Sequence, residues 1–228
     1  MPAAPLIVFD LDGTLAETAG DLIATLNVIL AQDGIGPIAI DQARVLLGSG
    51  GRALIQRGYA SVGRSVDTTR LEILFKQFLA HYDAHIADHS HLFPGVVAAL
   101  DRLDAAGYRF AVCTNKMEAP SVKLLTALGI VDRFQAICGQ DTFAVFKPDP
   151  DALFGTIEKA GGLPDTSIMI GDSVTDIATA KAAKIPVIAV DFGYTDKPVA
   201  ELGPDRVISH FDQLFDAVAS IQASRRSA

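Results

Sequence analysis

Tryptophan is absent from this sequence of 228 residues, and cysteine occurs only twice. Cys113 and Cys138 each fall within an apolar, strand-like run of residues. We therefore expect two buried thiols, and neither a disulfide nor a pair of metal ligands.

Positive charge is also scarce, with 19 lysines and arginines against 27 aspartates and glutamates and a net charge of −8. This balance leaves no basic patch, so it predicts neither a nucleic-acid partner nor attachment to an acidic membrane. Long apolar runs and a positively charged leader are missing as well, so we expect no membrane span and a cytoplasmic location. We expect a monomer or a homodimer.

Half of the residues are hydrophobic, which is enough for one α/β core with a modest insertion. From Pro94 onward, strand and helix patterns alternate with short connections. The expected strands cover residues 108–113, 134–138, 167–170, 185–190 and 206–209, and the expected helices cover residues 96–106, 119–128, 150–160, 174–184 and 211–222. This alternation predicts a doubly wound, Rossmann-like parallel sheet, which the apolar run Leu6 to Phe9 would join.

Residues 16–92 break this alternation. Apolar residues recur there at helical spacing over residues 22–30 and 71–86, with shorter helical patterns at residues 41–47 and 52–59. No strand pattern competes with them. We therefore predict an all-helical cap of residues 16–92, inserted into an α/β core of residues 1–15 and 93–228. Inserted lids commonly shield a site from water.

Asp10 and Asp12 directly follow the apolar run Leu6 to Phe9. Ligands of open α/β sheets bind outside the carboxyl ends of strands, and side chains two residues apart share a face. Two acids so close need a cation between them or a proton on one of them. A turn at Asp12-Gly13 is the plainer alternative. A calcium-binding EF-hand fits poorly, because its twelfth residue is a glutamate and this chain has Asp21 there.

Two further polar groups follow predicted strands. Thr114 and Asn115 can donate hydrogen bonds to phosphoryl oxygens, although taken alone they also fit a simple turn. Lys147 can neutralise carboxylates or a developing phosphoryl charge, and its alternative is a solvated loop lysine. Pro148 and Pro150, which follow Lys147 closely, favour the first interpretation, because they stiffen the loop.

Asp172 follows the apolar strand at residues 168–170 and, together with Asp10, would complete a site of oxygen ligands suited to Mg²⁺. Asp176 lies three residues after Ser173, a spacing that also fits a capping box at the start of a helix. Both interpretations can hold at once, since such a cap would leave the Asp172 side chain facing the strand ends.

Together these segments resemble the four motifs of the haloacid dehalogenase-like hydrolases. The motifs are Asp10-Leu-Asp12-Gly13-Thr14, Thr114-Asn115, Lys147-Pro148 and Gly171-Asp172-Ser173-x-x-Asp176. The resemblance spans nearly the whole chain, and the helical insertion falls where the small-cap subclass has its cap. Further segments are similar to the phosphoglycolate phosphatase subfamily, namely Thr114-Asn115-Lys116, Lys147-Pro-Asp-Pro150, Gly48-Ser-Gly50-Gly51-Arg52 and Gly193-Tyr194. Ala16-Glu17-Thr18 departs from the family's usual Asp-Ser pair, which puts the hinge of the cap and its substrate contacts in doubt.

The resemblance implies a Mg²⁺-dependent phosphomonoesterase. Asp10 would attack phosphorus and form an aspartyl-phosphate, and Asp12 would act first as general acid and then as general base. Mg²⁺ would be bound by the carboxylates of Asp10 and Asp172 and by the backbone carbonyl of Asp12.

The remaining motif residues would bind or orient the transferred group. Thr114, Asn115 and Lys147 would bind the phosphoryl group, and Asp176 would orient Lys147 or a metal-bound water. The family's dehalogenases lack an acid at the position of Asp12, because a halide leaves without a proton. The presence of Asp12 therefore indicates a phosphatase.

The expected substrate is a small phosphate ester, with 2-phosphoglycolate preferred. A phosphosugar phosphatase or phosphosugar mutase of the same fold is the alternative. A non-catalytic phosphate-binding module is a more distant one, because such a module has no use for Asp12 beside a nucleophile. Arg52 in the cap is a candidate contact for a substrate carboxylate, or else a solvated residue at the start of a helix.

Two other patterns admit competing interpretations. The segment Gly48 to Ala53 matches the dinucleotide-binding pattern G-x-G-x-x-A but does not follow a strand, so we interpret it as a glycine-rich loop over the active site. His81, His85 and His89 recur every four residues and could bind a transition metal, or else form a solvated stripe.

Overall fold

A parallel six-stranded sheet lies at the centre of the protein. The structure, a computed structural model, describes residues 4–40, 46–195 and 197–226. Its strands are β1 Leu6–Phe9, β2 Ala16–Glu17, β3 His91–Leu92, β4 Arg109–Cys113, β5 Phe134–Cys138, β6 Ser167–Gly171, β7 Val187–Val190 and β8 Arg206–Ile208. The six-stranded sheet has the order β5-β4-β1-β6-β7-β8, and every neighbouring pair in it is parallel.

Strand β1 is buried on both faces, which explains its uninterrupted apolar sequence. Ile7 and Phe9 pack into the hydrophobic core on one side of the sheet, whereas Leu6 and Val8 pack into the core on the other side. All four side chains are fully buried. The sequence order reverses on either side of β1, and ligands of doubly wound sheets bind at such a switch point.

Helices cover both faces of this sheet. The helices of the described residues are α1 Ala19–Ala31, α2 Gly51–Ala60, α3 Thr68–Ala84, α4 Val96–Ala105, α5 Glu118–Ala127, α6 Pro150–Lys159, α7 Val174–Ala182 and α8 Leu214–Arg226. Buried residues of α4, α5 and α8 join the core on the Phe9 side, and those of α6 and α7 join the core on the Leu6 side. The predicted doubly wound α/β fold is therefore confirmed.

Helices α1 to α3 pack against one another and form what we call the helical segment, residues 19–84. Gly58 of α2 permits close packing on α1, because a Cβ atom there would lie 3.1 Å from Leu30 and 3.2 Å from Leu26. None of the helices in the described part of the chain combines the length and the apolar character that a bilayer span requires. The helix predicted at residues 41–47 falls largely on residues 41–45, which lie outside the described residues.

A short antiparallel ribbon joins the helical segment to the sheet. Ala16 of β2 pairs with Leu92 of β3, and Glu17 pairs with His91. The expectation that residues 16–92 contain no strand is wrong at both ends of that range. Strands of two residues are too short to show an alternation of apolar and polar side chains, so the sequence pattern could not reveal them.

Asp21 in the first turn of α1 fixes the chain where it returns from the helical segment. Its side chain is buried and accepts hydrogen bonds from His89 N, from Ser90 N at 2.8 Å and from Ser90 Oγ at 2.6 Å. A buried carboxylate with this many donors holds the two crossing segments together.

We expect Asp21→Ala to lower the free energy of unfolding by about 3 kcal/mol, because it leaves buried N–H and O–H donors without an acceptor. Urea denaturation checks this value. Asp88→Ala is the matched control, since Asp88 is exposed and pairs with His85, which is exposed as well, and it should change stability by less than about 0.5 kcal/mol. Equal effects of the two variants would contradict the assignment.

Candidate active site

Three buried carboxylates converge at the carboxyl end of the sheet. Asp10 follows β1, Asp172 follows β6, and Asp176 lies in the first turn of α7. Their side chains are almost fully buried, and one oxygen of each lies within 4.8 Å of the others. Within the described residues, this is the one group of three His, Cys, Asp or Glu side chains that converges in this way.

Lys147 lies between two of these carboxylates. Its Nζ is 2.9 Å from Asp10 Oδ1 and 2.5 Å from Asp176 Oδ1, and the side chain is buried. The other oxygen of Asp176 accepts hydrogen bonds from the backbone N–H groups of Asp172 and Ser173 and from Ser173 Oγ. Ser173 and Asp176 form the capping box of α7. Asp176 therefore caps a helix with one oxygen and holds Lys147 with the other.

One ammonium group does not balance three carboxylates at this depth. Burial raises the pKa of Asp10 to about 6, with Lys147 opposing and the Asp176 carboxylate adding to the rise. Burial, Asp176 and Asp10 raise the pKa of Asp172 well above its ordinary value, against hydrogen bonds from Tyr194 N and Thr14 Oγ1. The excess negative charge of the cluster is therefore relieved either by protonation of a carboxylate or by binding of a further cation.

The donor set fits a divalent metal ion. It offers only oxygen ligands, it carries excess negative charge, and Asp10 Oδ1 is buried without a well-aligned hydrogen bond, its Lys147 contact being an ion pair. Hard cations such as Mg²⁺ prefer such oxygen ligands. The residues that could hold the ion are Asp10 and Asp172, with Asp176 adjacent to both.

Three glycines make room for this cluster. Gly13 has a φ of +86°, and a Cβ atom there would lie 2.5 Å from Asp172 Oδ2. A Cβ atom on Gly193 would lie 2.2 Å from the Asp172 Cβ. A Cβ atom on Gly171 would lie 2.3 Å from the Asp176 Cβ. Gly171 and Gly193 were not predicted to have this structural task, although the position of Gly171 directly before Asp172 was an available signal.

Asp12 forms an ion pair with a second lysine, Lys116. Lys116 Nζ lies 3.0 Å from Asp12 Oδ1 and 3.2 Å from Asp12 Oδ2, and Thr18 Oγ1 donates to Asp12 Oδ1 at 2.8 Å. Lys116 is buried, and its Nζ also lies 4.4 Å from the centre of the Tyr82 ring. Lys116 belongs to one of the predicted motifs, but no role was predicted for it. Its position two residues after Thr114 was the available signal.

Thr114 and Asn115 follow β4 at the same edge. Thr114 Oγ1 accepts a hydrogen bond from Lys116 N, and Asn115 Nδ2 donates to the backbone oxygen of Lys147 at 3.0 Å. Asn115 thus ties the β4 loop to the loop that carries Lys147. The structure brings both predicted phosphate-binding residues to the cavity described next.

A cavity of about 60 Å³ lies between the sheet edge and the helical segment. Asp10, Asp12, Thr114, Asn115 and Lys116 line its sheet side. Its other walls are mostly apolar residues of the helical segment, together with the glycine-rich loop. The lining glycines are Gly48, Gly50 and Gly51, so the loop reaches over the site as expected.

Arg52 does not line this cavity, although its neighbour Gly51 does. The Arg52 guanidinium group donates to both carboxylate oxygens of Glu72, at 2.7 and 2.9 Å, and stacks on the Phe75 ring. Its predicted contact with a substrate carboxylate stays a prediction.

The three histidines do not converge at one point, although the ring centres of His81 and His85 lie 4.6 Å apart. Helix α3 ends at Ala84, so His89 does not continue the helical face of His81 and His85. His81 Nδ1 is hydrogen-bonded to Thr25 Oγ1, and His85 Nδ1 contacts the carboxylate of Asp88. These contacts fit the solvated stripe better than a metal site.

The chain belongs to the haloacid dehalogenase-like hydrolases, whose family model matches residues 7–190. Among its relatives is a phosphoglycolate phosphatase of Mesorhizobium japonicum, which is 53% identical over 212 residues and is matched over 92% of both chains. A phosphoglycolate phosphatase of Agrobacterium fabrum is 44% identical over 227 residues, covering 100% of this chain and 97% of the relative. The chain is therefore a phosphatase of this family, similar to the phosphoglycolate phosphatases.

Solved structures show the same fold. A predicted phosphoglycolate phosphatase from Haemophilus somnus has a TM-score of 0.87 at 29% identity, over 95% of this chain and 98% of that one. CbbY from Rhodobacter sphaeroides, solved in complex with phosphate, has a TM-score of 0.76 at 25% identity, over 92% of this chain and 96% of that one. CbbY has also been solved with xylulose-(1,5)bisphosphate.

We expect Asp172→Asn to raise the melting temperature of the metal-free protein at pH 8 by about 2–5 °C. The raised pKa values mean that the folded state favours protonated carboxyls. The protonated cluster is therefore stabilising at low pH, and this stability is lost as the pH rises through the folded-state pKa values. The asparagine that replaces Asp172 would carry no charge at pH 8, so the variant avoids this loss of stability. The difference in melting temperature between the variant and the unsubstituted protein should therefore shrink toward pH 4.

Thermal unfolding in EDTA at the two pH values measures this effect, and added Mg²⁺ provides the second readout. Mg²⁺ should raise the melting temperature of the unsubstituted protein and leave that of Asp172→Asn nearly unchanged. A variant that is less stable at pH 8, or that is stabilised by Mg²⁺ as strongly as the unsubstituted protein, would contradict the proposed electrostatics.

Proposed function

We propose that this phosphatase hydrolyses 2-phosphoglycolate to glycolate and phosphate, with Mg²⁺ as cofactor and an aspartyl-phosphate on Asp10 as intermediate. One observation carries the proposal. Two carboxylates, Asp10 and Asp12, line one small cavity, and each is paired with a different lysine, Lys147 and Lys116. The site therefore offers two acids with separate surroundings, as a nucleophile and a proton donor require.

Asp10 is the nucleophile in this proposal. One of its carboxylate oxygens forms a bond to phosphorus while the bond from phosphorus to the ester oxygen breaks. Asp12 gives its proton to the departing ester oxygen, so an alcohol leaves instead of an alkoxide. Asp12 then takes a proton from water, whose oxygen attacks phosphorus. The bond from phosphorus to Asp10 breaks, and phosphate and the free carboxylate are restored.

Lys147 holds Asp10 in place and lies beside the transferred group. Its second contact, with Asp176, helps to fix the position of the ammonium group. Thr114 and Asn115 line the cavity next to Asp10 and would donate to phosphoryl oxygens. Mg²⁺, held by the carboxylates of Asp10 and Asp172 and the backbone carbonyl of Asp12, would offset the negative charge shared by nucleophile and phosphate.

Residues 16–92 act as the cap in this proposal, above a core of residues 1–15 and 93–228. The ribbon of β2 and β3 forms both crossing points between the two parts. Apolar side chains of the helical segment close the cavity from above, which would keep water away from the aspartyl-phosphate until the alcohol has left.

The named phosphoglycolate phosphatases among the relatives favour phosphoglycolate as the substrate. The likeness to CbbY, which has been solved with xylulose-(1,5)bisphosphate, supports a phosphosugar phosphatase or mutase as the second candidate. The cytoplasmic location and the absence of a nucleic-acid partner stay predictions.

We expect the protein to release phosphate from 2-phosphoglycolate in Mg²⁺ and to stop in EDTA. Asp10→Asn should lower kcat at least about 1000-fold, because the amide is a poor nucleophile. Asp151→Asn is the matched control, since Asp151 is exposed at the start of α6, and it should keep full activity. Unchanged turnover by Asp10→Asn would remove that residue from the nucleophile role. A sugar phosphate hydrolysed or isomerised faster than phosphoglycolate would reject the substrate.

Asp12→Asn tests the proton donor separately. We expect kcat/KM for phosphoglycolate to fall about 100-fold or more, because its alkoxide needs a proton. The value for 4-nitrophenyl phosphate should fall much less, since nitrophenolate leaves unprotonated. Stopped-flow absorbance should also show a burst of nitrophenolate, because the variant lacks the base for the second step. Equal losses on both esters without a burst would contradict the role of Asp12.

A further inference from the structure

Among the described residues that line the cavity, Lys116 is the one lysine or arginine. Lys147 contacts Asp10 and Asp176, and Arg52 is turned toward Glu72, so neither of them adds a charge to this lining. An anionic group on the leaving alcohol would therefore find its countercharge at Lys116.

Lys116 is held rigidly in this position. Its backbone N donates to Thr114 Oγ1, and its backbone oxygen accepts from Gln140 N at 3.0 Å. Gly139 packs so closely behind this loop that a Cβ atom there would lie 2.5 Å from the Lys116 backbone oxygen. A buried ammonium group on a fixed backbone is a preorganised anion site, provided that its charge faces the ligand.

A second donor lies beside it. Tyr82 of α3 is buried and lines the cavity, and its hydroxyl group makes no hydrogen bond of good geometry with the described residues. Burial raises the pKa of Tyr82 to about 12. The hydroxyl group therefore stays protonated near neutral pH and can donate a hydrogen bond. The Lys116 ammonium lies against the same ring, 4.4 Å from its centre.

Asp12 determines how far this pair of donors lies from the ester oxygen of a bound substrate. The general acid must reach the ester oxygen, and Lys116 Nζ is within 3.2 Å of both Asp12 oxygens. An anion bound at Lys116 therefore lies within a few ångströms of the ester oxygen.

We propose that Lys116, together with the Tyr82 hydroxyl, binds the carboxylate of the leaving group, so that the enzyme selects phosphate monoesters of small 2-hydroxy acids. In such esters the carboxylate is attached to the carbon that bears the ester oxygen, which matches the short distance from Lys116 to Asp12. The inference rests on the proposed function, because it assigns Asp12 to the ester oxygen.

The test compares three esters in saturating Mg²⁺. 2-Phosphoglycolate carries the carboxylate, ethyl phosphate has a methyl group in its place, and 4-nitrophenyl phosphate needs no proton on its leaving group. Lys116→Met should lower kcat/KM for phosphoglycolate about 10- to 100-fold, the usual loss of a charged hydrogen bond. Lys116 also pairs with Asp12, so the readout is the ratio of kcat/KM for phosphoglycolate to that for ethyl phosphate, which the same variant should lower about 10-fold or more.

Tyr82→Phe removes only the hydroxyl group and keeps the packing of the ring. It should lower the preference for phosphoglycolate over ethyl phosphate about 5- to 10-fold and leave the ethyl phosphate value near that of the unsubstituted protein. Lys159→Met is the matched control for loss of a lysine charge, because Lys159 lies on α6 and is exposed. It should keep all three rates.

Each other outcome would overturn the inference. Equal losses on both alkyl esters would make Lys116 a positioning residue for Asp12. If Arg52→Met abolished the preference for phosphoglycolate over ethyl phosphate and Lys116→Met preserved it, the carboxylate would bind at Arg52. An unsubstituted protein that hydrolyses ethyl phosphate as well as phosphoglycolate would exclude a carboxylate site while leaving the phosphatase mechanism intact. Failure of the proposed function itself is distinct, because Asp10→Asn would then remain active on every ester.

Discussion

The structure depends on an imbalance of charge at one edge of a parallel sheet. Three carboxylates, Asp10, Asp172 and Asp176, are withdrawn from water around a single ammonium group, that of Lys147. Such a cluster is strained by like-charge repulsion unless a cation joins it. The surrounding fold accepts this strain because β1, β6 and the first turn of α7 fix the positions of the three carboxylates. The same repulsion makes the site receptive to a metal ion.

The strands, helices and motif residues could be read from the sequence because each leaves a local signature. A strand such as β1 is an apolar run bounded by polar residues, and a helix such as α6 begins after Asp149, which caps it, with a proline in its first turn. Since parallel strands present their carboxyl ends at one edge, Asp10, Thr114 and Asp172 could be expected to meet. The structure places them together at that edge.

Other parts of the site depend on tertiary contacts that no local pattern records. Lys116 follows a strand as many loop lysines do, and only the fold shows that its ammonium group reaches Asp12. Arg52 begins α2 as expected, yet its direction is decided by Glu72 on another helix. The ribbon of β2 and β3 is likewise invisible in the sequence, because its pairing partners are separated by most of the helical segment.

Tyr194 connects the loop at Asp172 to the start of α1. It does so with its backbone N–H at one end and its side-chain hydroxyl group at the other. Its backbone N–H donates to Asp172 at 2.7 Å, while its hydroxyl oxygen accepts from the backbone N–H groups of Thr18 and Ala19 and donates to Glu17. The start of α1 has no side-chain cap of its own, so a phenol from 175 residues away completes it.

Glu17, in the segment that precedes α1, is one of the groups in this linkage. A displacement of the loop that holds Asp172 would therefore be transmitted to the start of α1 through a single aromatic side chain.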